Sequence, residues 1–353
     1  MTKHALAVAS TPGSTVRPAR TNEQLSHWSG VLAMTLCVFA LVASEFMPVS
    51  LLTPIAADLG VSQGMAGQAI AVSGAFALLT SLLLPAFAGQ LNRKSVLLWM
   101  TALMAASGAV IAFAQGYAIY MAGRALIGVA IGGFWSMSAA TAIRLVPTPQ
   151  VPRALAIFNG GNALATVVAA PLGSFLGALI GWRGVFLCLV PVAALAFAWQ
   201  WVSLPSMPAG ESRRGSRNAL GLLADRRVLL GMAAVSMFFM GQFALFTYVR
   251  PFLETTTHVD ASTLSLVLLT MGSAGFVGTV GINWFIARNL CRTLIAIPLA
   301  MSAVALALVV FSDMTVAAFA LLSVWGLLGT SARWVGGAGS RSRCPMRPKP
   351  AVA

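Results

Sequence analysis

The amino-acid sequence predicts an all-α, polytopic membrane protein built as two helical bundles, the second of them two helices short. Three observations carry that expectation. About ten apolar segments of roughly 20 residues follow one another, and a helix of that length, at ~1.5 Å per residue, matches the hydrocarbon core of a bilayer. The chain is 58% hydrophobic and only 8% charged over 353 residues, which leaves too little polar surface to keep a soluble domain of that size in solution. The Lys and Arg residues behind the net charge of +14 gather in the short gaps between apolar segments.

Taken in order, residues 1–28 form a tail rich in Ser, Thr, Ala and Arg without the apolar core of a signal peptide. Apolar windows at 31–54, 66–90, 95–115, 118–143, 153–180 and 183–203 give a complete six-helix bundle over 29–203. Residues 204–227 hold Pro, Gly, Ser and five Arg and read as a linker. Windows at 228–253, 262–287, 292–311 and 315–331 give an incomplete second bundle over 228–331. The Gly, Ser, Arg and Pro of residues 332–353 suit neither a span nor a packed fold, so this stretch is expected to be a disordered tail.

The gaps alternate in charge. Lys3, Arg17 and Arg20, then Arg93 and Lys94, Arg144 and Arg153, the linker arginines, and Arg288 with Arg292 occupy every second gap. Asp58, Glu254, Asp260 and Asp313 occupy the others, and Arg183 alone breaks the pattern. Basic loops stay in the cytoplasm, so the N-terminus is expected to be cytoplasmic. Two bundles joined by a basic linker are the layout of a secondary transporter made of repeated halves.

Several function classes are excluded. The basic residues lie in loops rather than on a folded face, which argues against nucleic-acid binding. Cys37, Cys188, Cys291 and Cys344 have no metal-ligand spacing, and His4, His27 and His258 lie outside the spans. No hydrolase elbow, zinc-protease helix or nucleotide-binding loop is present, so neither an enzyme nor a cofactor is expected, and an ion gradient is left as the energy source.

Polar residues inside the spans are the candidate functional groups. Glu45 sits in an apolar helix, where burial costs several kcal/mol unless the group is protonated or paired. It reads either as a proton switch or as a solvated group near the helix end. Pro48 and Pro54 follow it and each removes a helix donor, so carbonyls near Glu45 are freed. Arg124 shares a helix stripe with Gly128, Gly132 and Trp135; it either meets an anion or carbonyls within the bilayer, or snorkels to the surface. Its glycines read as packing surfaces for a neighbouring helix, while Trp135 suits either stacking on a planar solute or plain packing. Asn159 and Asn162 bring two amides into the fifth span, for a solute or for another helix. Gln242, Phe246 and Arg250 drift along one face of the seventh span beside Phe243, Thr247 and Tyr248, a set suited to a flat, hydrogen-bonding solute; Arg250 before Pro251 marks either that face or the outer interface.

These residues resemble the major facilitator superfamily, and within it the drug:proton antiporter group. The resemblance rests on Glu45-Phe46 with Leu51-Leu52-Thr53-Pro54, on Gly89-Gln90-Leu91-Asn92-Arg93-Lys94, on Arg124-Ala125-Leu126-Ile127-Gly128, on Ala170-Pro171-Leu172-Gly173 and on Gly181-Trp182-Arg183. Asn92 stands where the family usually carries Asp, Ala130 replaces a second glycine, and the fifth-span motif is degenerate. Gly132-Gly133-Phe134-Trp135-Ser136-Met137, Arg144-Leu145-Val146-Pro147 and Gly241-Gln242-Phe243-Ala244 with Phe246-Thr247-Tyr248 are similar to the family's purine ribonucleoside exporters. The resemblance implies a two-bundle major facilitator fold and export of inosine- or guanosine-like nucleosides in exchange for protons. A sugar or multidrug antiporter is the alternative, as is an inactive truncated product. Glu45 and Arg124 would couple the proton, and Phe134, Trp135, Asn159, Asn162, Gln242, Phe246 and Tyr248 would line the solute cavity. The implied partners are the nucleoside, protons and the lipid bilayer, and the implied state is a monomer in a bacterial inner membrane. The resemblance stops after Gly329, and the composition of the tail leads to the expectation of a frameshift there.

Overall fold

The computed structural model describes residues 27–87, 91–207, 226–312 and 314–339, and among them every regular element is helical. The helices are α1 (Trp28–Ser50), α2 (Leu52–Asp58), α3 (Gln63–Phe87), α4 (Arg93–Ala112), α5 (Tyr117–Arg144), α6 (Val151–Ser203), α7 (Arg226–Thr256), α8 (Ala261–Val310) and α9 (Thr315–Gly339). Among the described residues, each of the ten expected spans falls mainly on helix. α6 supplies two of them, because Gly181, at φ +74° and ψ 163°, reverses the chain in a backbone region that side-chain-bearing residues rarely enter. α8 also carries two membrane-length stretches, Ala261–Gly281 and Arg292–Val310.

Two boundaries differ from expectation. The first span does not continue to residue 54; it breaks at Leu51, between Pro48 and Pro54, and restarts as the short α2. α9 runs on to Gly339, past the end of the apolar run at 331, while the linker residues 208–225, the N-terminal tail to residue 26, Asp313 and residues 340–353 lie outside the described residues.

Local chemistry sets several helix ends. The Asn92 side chain caps α4 by accepting from the Lys94 amide at 3.0 Å. Asp260 caps α8, and the hydrogen bond from the Thr263 side chain, with the amides of Ser262 and Thr263, holds its carboxyl below the usual carboxylate range. Arg183, the exception to the charge alternation, is ion-paired with Asp58, stacks over Trp182 and donates to the Ala114 carbonyl at 2.7 Å. Its charge is thus neutralised where the pattern called for acid.

In the first bundle α1 lies along α6, α3 packs on α5, and α4 packs on both α5 and α6. Small residues permit this closeness: a Cβ on Gly128 would fall 2.3 Å from the Ser73 carbonyl oxygen, and one on Gly132 would fall 2.1 Å from that of Ala77. The glycines of the Arg124 stripe are therefore helix-packing surfaces. α9 packs along α8 in the second bundle, and α6 meets α8 across the divide. α7 touches α1, α2, α3 and α8 only lightly. Large apolar side chains such as Leu78, Leu82, Leu195, Val202, Met240 and Val309 ring the outside, as a lipid-facing perimeter requires.

Candidate functional site between the bundles

Arg124 is fully buried, so the snorkelling reading is excluded. Its guanidinium donates from Nη1 to the Ser44 carbonyl at 3.0 Å, from Nη2 to Ser73 Oγ at 3.0 Å and from Nε to the Ala69 carbonyl at 3.4 Å. The sequence explains the first of these contacts. In a regular helix the Ser44 carbonyl would accept from the amide of residue 48, but residue 48 is proline and has no N–H. The carbonyl freed in α1 is taken by an arginine from α5. Glu45, the next residue, is half-buried, and its charge acts on Arg124.

The same device recurs further along the chain. Pro54 has no amide to offer the Ser50 carbonyl, and Arg250 of α7 donates to it from Nη1. Arg250 also donates to Glu254 Oε1 at 2.7 Å, and Thr53 donates to Glu254 Oε2 at 2.5 Å. This cluster ties the first bundle to the second at the end of α1 away from the N-terminus. Tyr248 lies close by with its hydroxyl against Gly67 of α3, where an added Cβ would come 2.5 Å from the oxygen.

Below the cluster, a cavity opens between the bundles. One chamber, narrow at about 40 Å³, is lined by Phe46, Gln242, Phe243, Phe246, Met271 and Trp325. Phe46 meets Phe246 edge-on at 5.4 Å and lies stacked with Phe243 at 6.3 Å, so three rings from both bundles form one wall. An adjoining chamber of about 270 Å³ is lined by Asn159, Asn162, Thr166, Phe276, Thr279 and Thr330. Asn159, Asn162, Gln242 and Phe246 are thus brought to one connected space.

Three of the expected lining residues are not among the linings of these two chambers. Phe134 is fully buried in the core of the first bundle, Trp135 packs edge-on against Phe158 at 6.0 Å, and Tyr248 belongs to the contact with α3. The sequence does not single out Thr166, Thr279, Trp325 or Thr330 as lining residues, nor Thr53 and Glu254 as a link. Their only signal is polar or aromatic character opposite small residues such as Gly272 and Gly326, which is common in packed helices.

Comparison with known proteins now decides the family, since the profile of the Major Facilitator Superfamily matches residues 34–337. The chain belongs to the major facilitator superfamily. It is therefore a multi-pass membrane transporter of a family that does not contain enzymes. A relative from Pseudomonas aeruginosa named transcription regulatory protein OpdE is 63% identical over 313 residues, 88% of this chain and 78% of that protein. The purine ribonucleoside efflux pump NepI of Salmonella typhimurium is 43% identical over 302 residues, 85% of this chain and 76% of that protein. Among solved structures, a bacterial homologue of the lysosomal transporter Spinster superposes with a TM-score of 0.67 at 16% identity, over 91% of this chain and 75% of that one. The nucleoside transporter NupG superposes with a TM-score of 0.65 at 13% identity, over 89% and 83%. At these identities the solved structures bear on the major facilitator fold alone.

Proposed function

We propose that this chain is a proton-coupled exporter of purine ribonucleosides, acting as a monomer in a bacterial inner membrane with its N-terminus in the cytoplasm. The observation that carries the reading is the cavity between the bundles, whose wall of Phe46, Phe243 and Phe246 adjoins the amides of Gln242, Asn159 and Asn162. Flat rings next to amides suit a base attached to a sugar, and the 43% identity to a purine ribonucleoside efflux pump supports the same solute class.

Glu45 is the titrating group in this mechanism. It precedes Phe46 of the cavity wall and follows Ser44, whose carbonyl Arg124 holds. Protonation removes a charge beside a fixed guanidinium, and the changed attraction biases the position of α1 between two arrangements of the bundles. The Arg250, Glu254, Thr53 and Ser50 cluster is the outer gate, closed here and broken when the bundles rock to release solute outward. Asn159, Asn162, Gln242 and Phe246 bind the solute, while Phe134, Trp135 and Tyr248 shape the helices around it. The regulatory name of the Pseudomonas relative fits an indirect route, in which an exporter changes transcription by setting the cytoplasmic level of a solute.

Vesicles carrying the chain test the proposal. A pH gradient should drive inosine export, and Glu45→Gln should abolish it while leaving insertion intact; unchanged export in that variant removes Glu45 from the mechanism. Xylose or another free sugar exported in place of inosine would move the solute class to sugars.

A further inference from the structure

The ring-lined and amide-lined chambers of the cavity differ in hydrogen-bonding character, and that difference specifies how a solute lies. Among the rings, a pair of polar atoms has no partner: the acceptor Gln242 Oε1 and the donor Trp325 Nε1. Trp325 is only 5% exposed, and a buried donor left without a partner is costly. Both groups belong to one wall. The Gln242 side chain rests on Gly329 of α9, where an added Cβ would fall 2.6 Å from Nε2. Trp325 lies four residues earlier on the same helix, one turn along the same face.

The amide-lined chamber shows the opposite bias. The hydroxyls of Thr166, Thr279 and Thr330 donate to the carbonyls of Asn162, Gly275 and Gly275, at 2.9, 3.0 and 2.6 Å. Asn159 Nδ2 likewise donates to its own helix, to the Leu155 carbonyl at 2.9 Å. The three hydroxyl protons and one Asn159 N–H are spent inside the protein, so the threonines offer oxygen lone pairs to the space while the Asn159 and Asn162 amides still offer donors. Such a lining suits a ligand carrying several hydroxyls, which both donate and accept, and disfavours a phosphate, since among the described residues no Lys or Arg lines the chamber to meet its charge.

We propose that Gln242 and Trp325 form a specificity pair that reads the hydrogen-bonding edge of the base, with the base between Phe46, Phe243 and Phe246 and the ribose in the threonine and asparagine chamber. The inference rests on the nucleoside reading above and sharpens it. An edge that answers an acceptor beside a donor presents a donor beside an acceptor, as the N1–H and C6 carbonyl of a 6-oxopurine do. Purine riboside, which lacks both, offers only the N1 lone pair, so the Gln242 acceptor stays unpaired. A site built to hydrogen-bond its ligand rejects an analogue without the matching groups far more strongly than an apolar pocket rejects a change of size.

The test is equilibrium binding of radiolabelled inosine to the full chain in lipid nanodiscs, with unlabelled competitors. Inosine should compete at least about tenfold better than purine riboside, and inosine monophosphate should not compete. Trp325→Phe, which keeps the ring and removes the N–H, should weaken inosine by about tenfold and narrow its advantage over purine riboside; Gln242→Leu should narrow it as well. Inosine bound with no preference over purine riboside in the unaltered chain overturns the specificity pair and leaves the exporter reading standing. The same conclusion follows if Trp325→Phe binds inosine undiminished. Absence of binding by every nucleoside overturns both. The competitor comparison needs no variant, so it holds even where a substitution impairs folding.

Discussion

Arg124 and Arg250 meet the same backbone circumstance in two different settings. Each donates to a carbonyl whose helical partner is a proline, Ser44 through Pro48 and Ser50 through Pro54. Arg124 does so with no exposed surface, entirely within the first bundle, held by two carbonyls and a hydroxyl. Arg250 does so across the two bundles, with side-chain exposure of 13% and a carboxylate partner four residues away on its own helix. A buried guanidinium anchored by neutral oxygens is a permanent fixture, because losing any partner strands a charge out of water. A guanidinium that keeps its own Glu254 when it releases the far carbonyl is suited to letting go. The contrast separates an anchor from a latch.

The largest effect expected is at the anchor. Arg124→Met should destabilise the chain by about 3 kcal/mol, read as a lowered unfolding temperature in detergent, since Ser44, Ala69 and Ser73 lose a shared donor. Arg124→Lys keeps the charge but not the fork, and solute export should fall at least about tenfold; full activity in that variant would break the distinction by showing that charge alone suffices. At the latch, Arg250→Gln should cost only about 1 kcal/mol but should open the gate. Spin labels at Ser62 and His258, in the loops flanking the cluster, should report longer and broader distances in Arg250→Gln than in the parent, and identical distributions would show that the cluster is not a gate.

Proline substitution sharpens the same contrast with a smaller effect. Pro48→Ala and Pro54→Ala each return an amide to the helix, so the freed carbonyl gains a competing donor. The first should slow export by tightening α1, and the second should loosen the spin-label distances, a split that identical phenotypes would refute. The smallest effect is expected at Asp260, outside the spans. Its carboxyl is held below the usual range in the folded chain by Thr263, so its contribution is present above the ordinary carboxylate pKa and is lost as pH falls through the lower folded value. Thermal unfolding followed down the pH scale should show a slight acid loss in the parent that Asp260→Asn flattens.

Legibility follows the range of the interaction. The ten spans are readable because length and apolar content are local properties that the bilayer enforces. The freed carbonyls at Ser44 and Ser50 are equally readable, since they depend on a proline four residues away; which arginines fill them is not, because Arg124 and Arg250 lie on helices far along the chain. The break at Leu51 follows from two prolines acting together, where a single hydropathy window sees one span. Trp325 gives no sequence signal because an indole in a largely apolar helix reads as plain packing, and only the Gly329 beside Gln242 gives its position meaning. Phe134 and Trp135 stand side by side in the string whose resemblance implied that both line the cavity, yet successive positions on a helix point about 100° apart.

Gly272 of α8 approaches Val167 of α6 so closely that an added Cβ would sit 2.9 Å from the valine backbone. Main chain rests on main chain there, between the halves and beside the asparagine chamber. Such a contact has no rotamers to rearrange, so in the rocking motion proposed above it would serve as a fulcrum, a bare ridge over which a tilt that parts one mouth would press the other shut.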